Sequence, residues 1–145
     1  MNVFNTYRET IEKIVADMAT AGDLPADLPV DRISVEPPRD AAHGDISTNV
    51  AMVLSKPAGQ KPRDLAEKIS AKLSEAPGVS KVEIAGPGFV NLRLETASWQ
   101  KQVGQILRDG ISYGDSDAGG GAAINIEYVS ANPTGPMHVG HARGA

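Results

Sequence analysis

The sequence predicts an α+β fold in two layers, a mostly antiparallel sheet with helices on one face. Three observations lead there. Apolar residues near the N-terminus recur at helical spacing. Two alternating runs flank Gly86-Pro87-Gly88, the pattern of a β-hairpin. Helical spacing returns both before and after that hairpin.

The elements follow in order. Val3, Phe4, Tyr7, Ile11, Ile14, Val15 and Met18 mark an amphipathic helix over 2–20, with Gly22 as its stop and Pro25 and Pro29 beyond. Residues 32–35 read as a short strand ended by Pro37-Pro38. Gly44-Asp45-Ile46-Ser47-Thr48 reads as a turn leading into a helix over 49–54, which Pro57 ends. Pro62 suits the first turn of the next helix, because its missing N–H costs nothing there. Leu65, Ile69 and Leu73 mark that helix's buried face, and Pro77-Gly78 breaks it. Residues 79–84 and 89–94 form the hairpin strands. Trp99, Val103, Ile106 and Leu107 define a last helix stopped by Gly110, with Trp99 expected in the core.

Composition narrows the function. The chain has 145 residues and a net charge of −4, with 41% hydrophobic and 22% charged residues. That is a globular composition. There is no cysteine, which excludes disulfides, thiolate zinc sites and Cys nucleophiles. Two Phe, three Tyr and one Trp leave the core to aliphatic side chains. The N-terminus carries no basic and apolar leader, and no apolar run reaches the ~20 residues of a membrane span. We expect a cytoplasmic monomer without membrane contact. The acidic total argues against a uniformly basic DNA-binding protein. Charge is nevertheless uneven: residues 56–81 hold six basic and three acidic side chains, a solvated helix face or a patch for an anionic partner. Eight of the 15 glycines fall in the last 36 residues. We therefore divide the chain into a domain over 1–109, a glycine-rich linker over 110–121, and the start of a second domain over 122–145. In that last part, residues 123–129 alternate like a strand, and a helix begins at His138.

The strongest local signal lies in that third part. Ser130-Ala131-Asn132-Pro133-Thr134-Gly135-Pro136-Met137-His138-Val139-Gly140-His141 joins the strand to the helix. Ligands collect at such junctions in α/β sheets, and a helix N-terminus favours phosphate. His138 and His141 share a helical face and can donate to phosphate oxygens, while Gly140 leaves room for a flat base. A metal would need a third ligand, and His43 is the other histidine; we expect no metal here.

The hairpin carries a second signal. Val90, Leu92 and Leu94 alternate onto one face and belong in the core. Phe89, Asn91 and Arg93 share the other face. An aromatic ring, an amide and a guanidinium together suit an unpaired RNA base. The alternative is that Phe89 packs under a helix. His43 and Asp45 resemble a catalytic pair at first glance, but Asp45 is expected to cap the following helix or turn.

His138-Val139-Gly140-His141 resembles the first signature of class I aminoacyl-tRNA synthetases. The preceding Glu127-Tyr128-Val129-Ser130-Ala131-Asn132-Pro133-Thr134-Gly135-Pro136 is similar to the arginyl-tRNA synthetase family, as are Ala142-Arg143-Gly144-Ala145. His43-Gly44-Asp45-Ile46-Ser47-Thr48-Asn49-Val50-Ala51-Met52 and Gly86-Pro87-Gly88-Phe89-Val90-Asn91-Leu92 resemble that family's N-terminal additional domain. The resemblance implies an additional domain followed by the first strand and helix start of a Rossmann-like catalytic domain. It implies arginine, ATP with Mg2+, and tRNA(Arg) as substrates, with arginyl-adenylate as the intermediate. His138 and His141 would stabilise the ATP phosphates electrostatically. Gly140 would lie under the adenine, and Glu127, Ser130 and Asn132 would hold arginine. Phe89 and Asn91 would meet the tRNA elbow at the D-loop. The chain ends four residues past His141, without the second, KMSKS-like signature or an anticodon-binding domain. It therefore reads as an N-terminal piece of a longer enzyme, inactive alone. Another H-x-G-H nucleotidyltransferase, or a free-standing RNA- or protein-binding module, are the alternatives.

Overall fold

The first helix, α1 (Val3–Thr20), begins where Asn2 caps it: the Asn2 side chain accepts from the N–H groups of Phe4 and Asn5 at 2.8 and 3.1 Å. It stops at Gly22, in the left-handed region at φ +83°, as the sequence predicts. In the computed structural model, which describes residues 2–117, 119–129 and 135–143, four strands form one sheet among the described residues. They are β1 (Val35–Glu36), β2 (Ile46–Thr48), β3 (Val79–Ala85) and β4 (Phe89–Leu94), in the spatial order β1-β2-β4-β3. Every pairing is antiparallel. The remaining helices of this part are α2 (Val50–Ser55), α3 (Pro62–Leu73, with proline in its first turn) and α4 (Thr96–Asp109). The α+β expectation is met.

The core is aliphatic, as composition requires. Ile11, Val15 and Met18 from α1, Val50 and Leu54 from α2, and Leu65, Ile69 and Leu73 from α3 pack with Ile46, Val90, Leu92 and Leu94 of the sheet. Burial of these stripes, rather than helix propensity, holds the helices in place.

Four expectations need correction. Residues 30–32 form a 3-10 turn, and the strand is shorter and later than read, at Val35–Glu36. Ile46-Ser47-Thr48 is strand β2, not a turn. Three residues are too few for periodicity to show, but pairing with β4 (Ile46↔Leu92, Ser47↔Asn91, Thr48↔Val90) satisfies their backbone. Trp99 is not in the core: it is 37% exposed, and α4 contributes no buried residue. The alternating segment over 123–129 carries no assigned strand in its described residues. No strand pairs with it among the described residues, and Val129 takes φ +53°, which a β-branched residue adopts only under constraint.

Contacts divide the chain into Met1–Arg108 and Asp109–Ala145. The second unit holds a 3-10 turn (Gly110–Gly114) and a short helix, α5 (Val139–Ala142), which starts at His138 as expected.

Candidate functional site

Strand β4 positions the first group of site residues. Its alternation sends Val90, Leu92 and Leu94 into the core and Phe89, Asn91 and Arg93 to the opposite face. On that outer face lies a groove of about 490 Å3. It is lined by Phe89 and Asn91, by Ser47 of β2, and by Ser34, Glu36, Pro37, Pro38, Arg39 and His43. The sheet register explains the assembly. Glu36 pairs with Ser47, Ser47 with Asn91, and Asn91 with Glu83, so one row of outward residues crosses all four strands.

Phe89 is 39% exposed and lines the groove, so it is not sealed under a helix. Asn91 is 5% exposed, deeper than a surface amide, and its Oδ1 is buried without a hydrogen-bond partner. A buried acceptor left unmatched costs free energy, about 1–3 kcal/mol, unless a ligand supplies a donor. Arg93 does not stay free beside them; its guanidinium donates to the Ala42 carbonyl at 3.1 Å. Glu83, across from Asn91, is held by Lys81 at 2.8 Å. The Lys81 hydrogen bond and charge, helped by Arg93 and His43, keep its carboxyl below the usual carboxylate range.

Asp45 does not cap the following helix. Its carboxylate accepts from the Leu94 N–H at 2.8 Å, while its own N–H donates to the Leu92 carbonyl at 2.8 Å. The side chain thus extends the β2–β4 ladder, a tertiary partner 49 residues away that local turn chemistry does not reveal. Ser34, Glu36, Arg39 and Ser47 are groove residues that sequence reasoning missed. The signal available was Ser47's place opposite Asn91, and it required β2 to be seen as a strand.

The second group lies in the other unit. His138 is the N-cap of α5, and its Nδ1 accepts from the Gly140 N–H at 3.1 Å. The His138 N–H donates to His141 Nδ1 at 3.3 Å. The two rings stack with centroids 3.8 Å apart. Both Nδ1 atoms accept, so each neutral ring carries its proton on Nε2, free to donate outward. A Cβ on Gly140 would lie 2.9 Å from the His138 ring, so glycine is what lets that ring fold over the backbone. The space proposed for a base above Gly140 is occupied by His138 in this arrangement. Glu127 is exposed, with no assigned strand around it. Ser130 and Asn132 lie outside the described residues.

Residues 5–94 match the family described as the arginyl tRNA synthetase N terminal domain. The chain belongs to that family. The match ends with β4 and takes in the groove. Among curated relatives, the arginine–tRNA ligase of Parvibaculum lavamentivorans is 56% identical over all 145 residues. That of Azorhizobium caulinodans is 57% identical over 147 aligned positions, again covering the whole chain. The chain spans 25% of the length of each, so it corresponds to part of such an enzyme. Among solved structures, the arginyl-tRNA synthetase of Thermus thermophilus aligns with 94% of this chain and 21% of its own length, at 19% identity and a TM-score of 0.47. No described helix is long and apolar enough to cross a membrane.

Proposed function

We propose that this chain is the N-terminal part of an arginine–tRNA ligase, and that its α/β unit grips an unpaired base at the elbow of tRNA(Arg). The observation that carries the RNA reading is the buried, unpartnered Oδ1 of Asn91 beside the open ring of Phe89. Stacking on Phe89 is available to any base, and a base edge offers the N–H donor that Asn91 lacks.

In the full-length enzyme, the arginine carboxylate would attack the α-phosphorus of MgATP and displace pyrophosphate to give arginyl-adenylate, and the arginyl group would then pass to a tRNA hydroxyl with release of AMP. The Nε2–H groups of His138 and His141 would donate to the ATP phosphates, where negative charge develops during adenylation. That role requires the stacked pair to open away from Gly140, which frees the room for adenine. Glu127, Ser130 and Asn132 would bind the charged groups of arginine.

The test uses the full-length protein. Phe89→Ala should raise the KM for tRNA(Arg) at least severalfold, about 1–3 kcal/mol of stacking, while arginine binding measured without tRNA stays as in the wild type. Unaltered tRNA kinetics would reject the RNA-facing groove.

A further inference from the structure

The His43-Gly44-Asp45 motif has no part in stacking or adenylation, yet hydrogen bonds within the turn and to β4 hold it. Asp40 accepts from the Ala42 N–H at 2.9 Å and opens the turn, and the His43 N–H returns to the Asp40 carbonyl at 3.0 Å. Arg93 reaches over from β4 to the Ala42 carbonyl. Asp45 clasps β4 through both its N–H and its carboxylate. Gly44 sits at φ +114°, where a Cβ would stand 2.6 Å from the Leu92 carbonyl oxygen. No side chain could replace it without pushing the turn off the strand.

What this anchoring presents is uncommitted. Arg39 and His43 both line the groove, and both are exposed. Among the described residues neither side chain takes part in a hydrogen bond or an ion pair. The anions nearby are Asp40 and Asp45, whose carboxylates hold the turn, Glu36, which lines the groove, and Glu83, which Lys81 already holds. The groove is therefore lined by an aromatic ring and an amide together with a guanidinium and an imidazole. A nucleotide presents a flat base with N–H donors on one side and an anionic phosphate on the other. A guanidinium fork and an imidazole N–H are the donors that a phosphate and a ribose hydroxyl accept from.

We propose that Arg39 and His43 bind the phosphate and ribose of the nucleotide whose base meets Phe89 and Asn91, and that Gly44 and Asp45 set the position of this rim. Arg39 supplies the charge and His43 a hydrogen bond. Asp45 is a positioning residue: it acts through the turn and does not touch the RNA. The proposal rests on the RNA reading of the groove, and the two fail differently.

The experiment measures equilibrium binding of a tRNA(Arg) transcript to the full-length protein across a series of KCl concentrations. Wild type, Phe89→Ala, Arg39→Gln and His43→Ala are compared after their melting curves are shown to coincide. Removing one cation from a phosphate reduces the slope of log affinity against log salt by about 0.7–0.9. Arg39→Gln should lower affinity about threefold to tenfold at low salt, reduce the slope by that one increment, and converge on wild type at high salt. His43→Ala should lower affinity severalfold at every salt concentration. Phe89→Ala should lower affinity with the slope intact. If Phe89→Ala weakens binding but Arg39→Gln keeps the wild-type slope, or His43→Ala keeps the wild-type affinity, the rim proposal is overturned while the groove stands. If none of the three changes binding, the RNA reading falls with it.

Discussion

The two faces of β4 belong to one six-residue strand and behave as different materials. The inner face, Val90, Leu92 and Leu94, is almost without solvent contact and is closed by aliphatic residues from three helices and β2. The outer face, Phe89, Asn91 and Arg93, carries an open ring, an unmatched amide and a guanidinium spent on holding a neighbouring turn. The period of two gives one set to the core and the other to the face proposed to meet RNA. A consequence is that substitutions one residue apart should have opposite signatures.

The largest effect belongs to the inner face. Leu92→Ala removes a fully buried side chain at the centre of the sheet and should cost about 2–5 kcal/mol, read as a lower urea midpoint. A cost below about 1 kcal/mol would mean that the inner face is not the organising core. Gly44→Ala comes next, because it loosens the turn that ties the outer face to β4. A positive φ and a clash with backbone should together cost about 1–3 kcal/mol, measured in the same unfolding series. Stability equal to wild type there would show that the turn is not wedged against Leu92.

Asn91→Leu breaks the comparison most directly. It replaces a buried acceptor that has no partner, so the isolated fold should be unchanged or stabilised, by about 1 kcal/mol at most, while tRNA binding falls. A large destabilisation would show that the amide serves the fold rather than a ligand. The smallest effect is expected at Lys81→Ala. Lys81 and Glu83 are both well exposed, so stability should scarcely move, but the Glu83 carboxyl should titrate at higher pH in the variant. Because its folded value is depressed, Glu83 stabilises the fold above its unfolded titration range, and this is lost as pH falls through the folded value. NMR titration of Glu83 in both proteins checks the direction.

Helices α3 and α4 show how far the sequence could be read. Both carry an apolar stripe at helical spacing, and both were legible as amphipathic helices. In α3 the stripe is buried, with Leu65, Ala66, Ile69 and Leu73 fully covered. In α4 Trp99, Val103, Ile106 and Leu107 all remain exposed. Periodicity reports which side of a helix is apolar, and it is silent on whether that side meets the sheet. The same limit applied to β2, where three residues gave no period to read, and to Asp45, whose partner is remote in sequence. The Phe89–Asn91 pairing was legible because it lies within one strand. The presence of Arg39 and His43 in the same groove was not, because it depends on β1 and β2 pairing beside β4.

By itself the sequence determined what local rules govern: the helix starts and stops at Asn2, Gly22 and Pro62, the hairpin around Gly86-Pro87-Gly88, the alternation of β4, and the His138–His141 helix start. These depend on φ preferences, missing N–H groups and side-chain periods that act over a few residues. Only the tertiary structure decided the strand order, the burial of Asn91, the exposure of Trp99 and the convergence of residues 34–47 with Phe89. Those depend on which distant segments meet, and that is settled by the joint burial of apolar surface across the chain, which no short window of sequence contains.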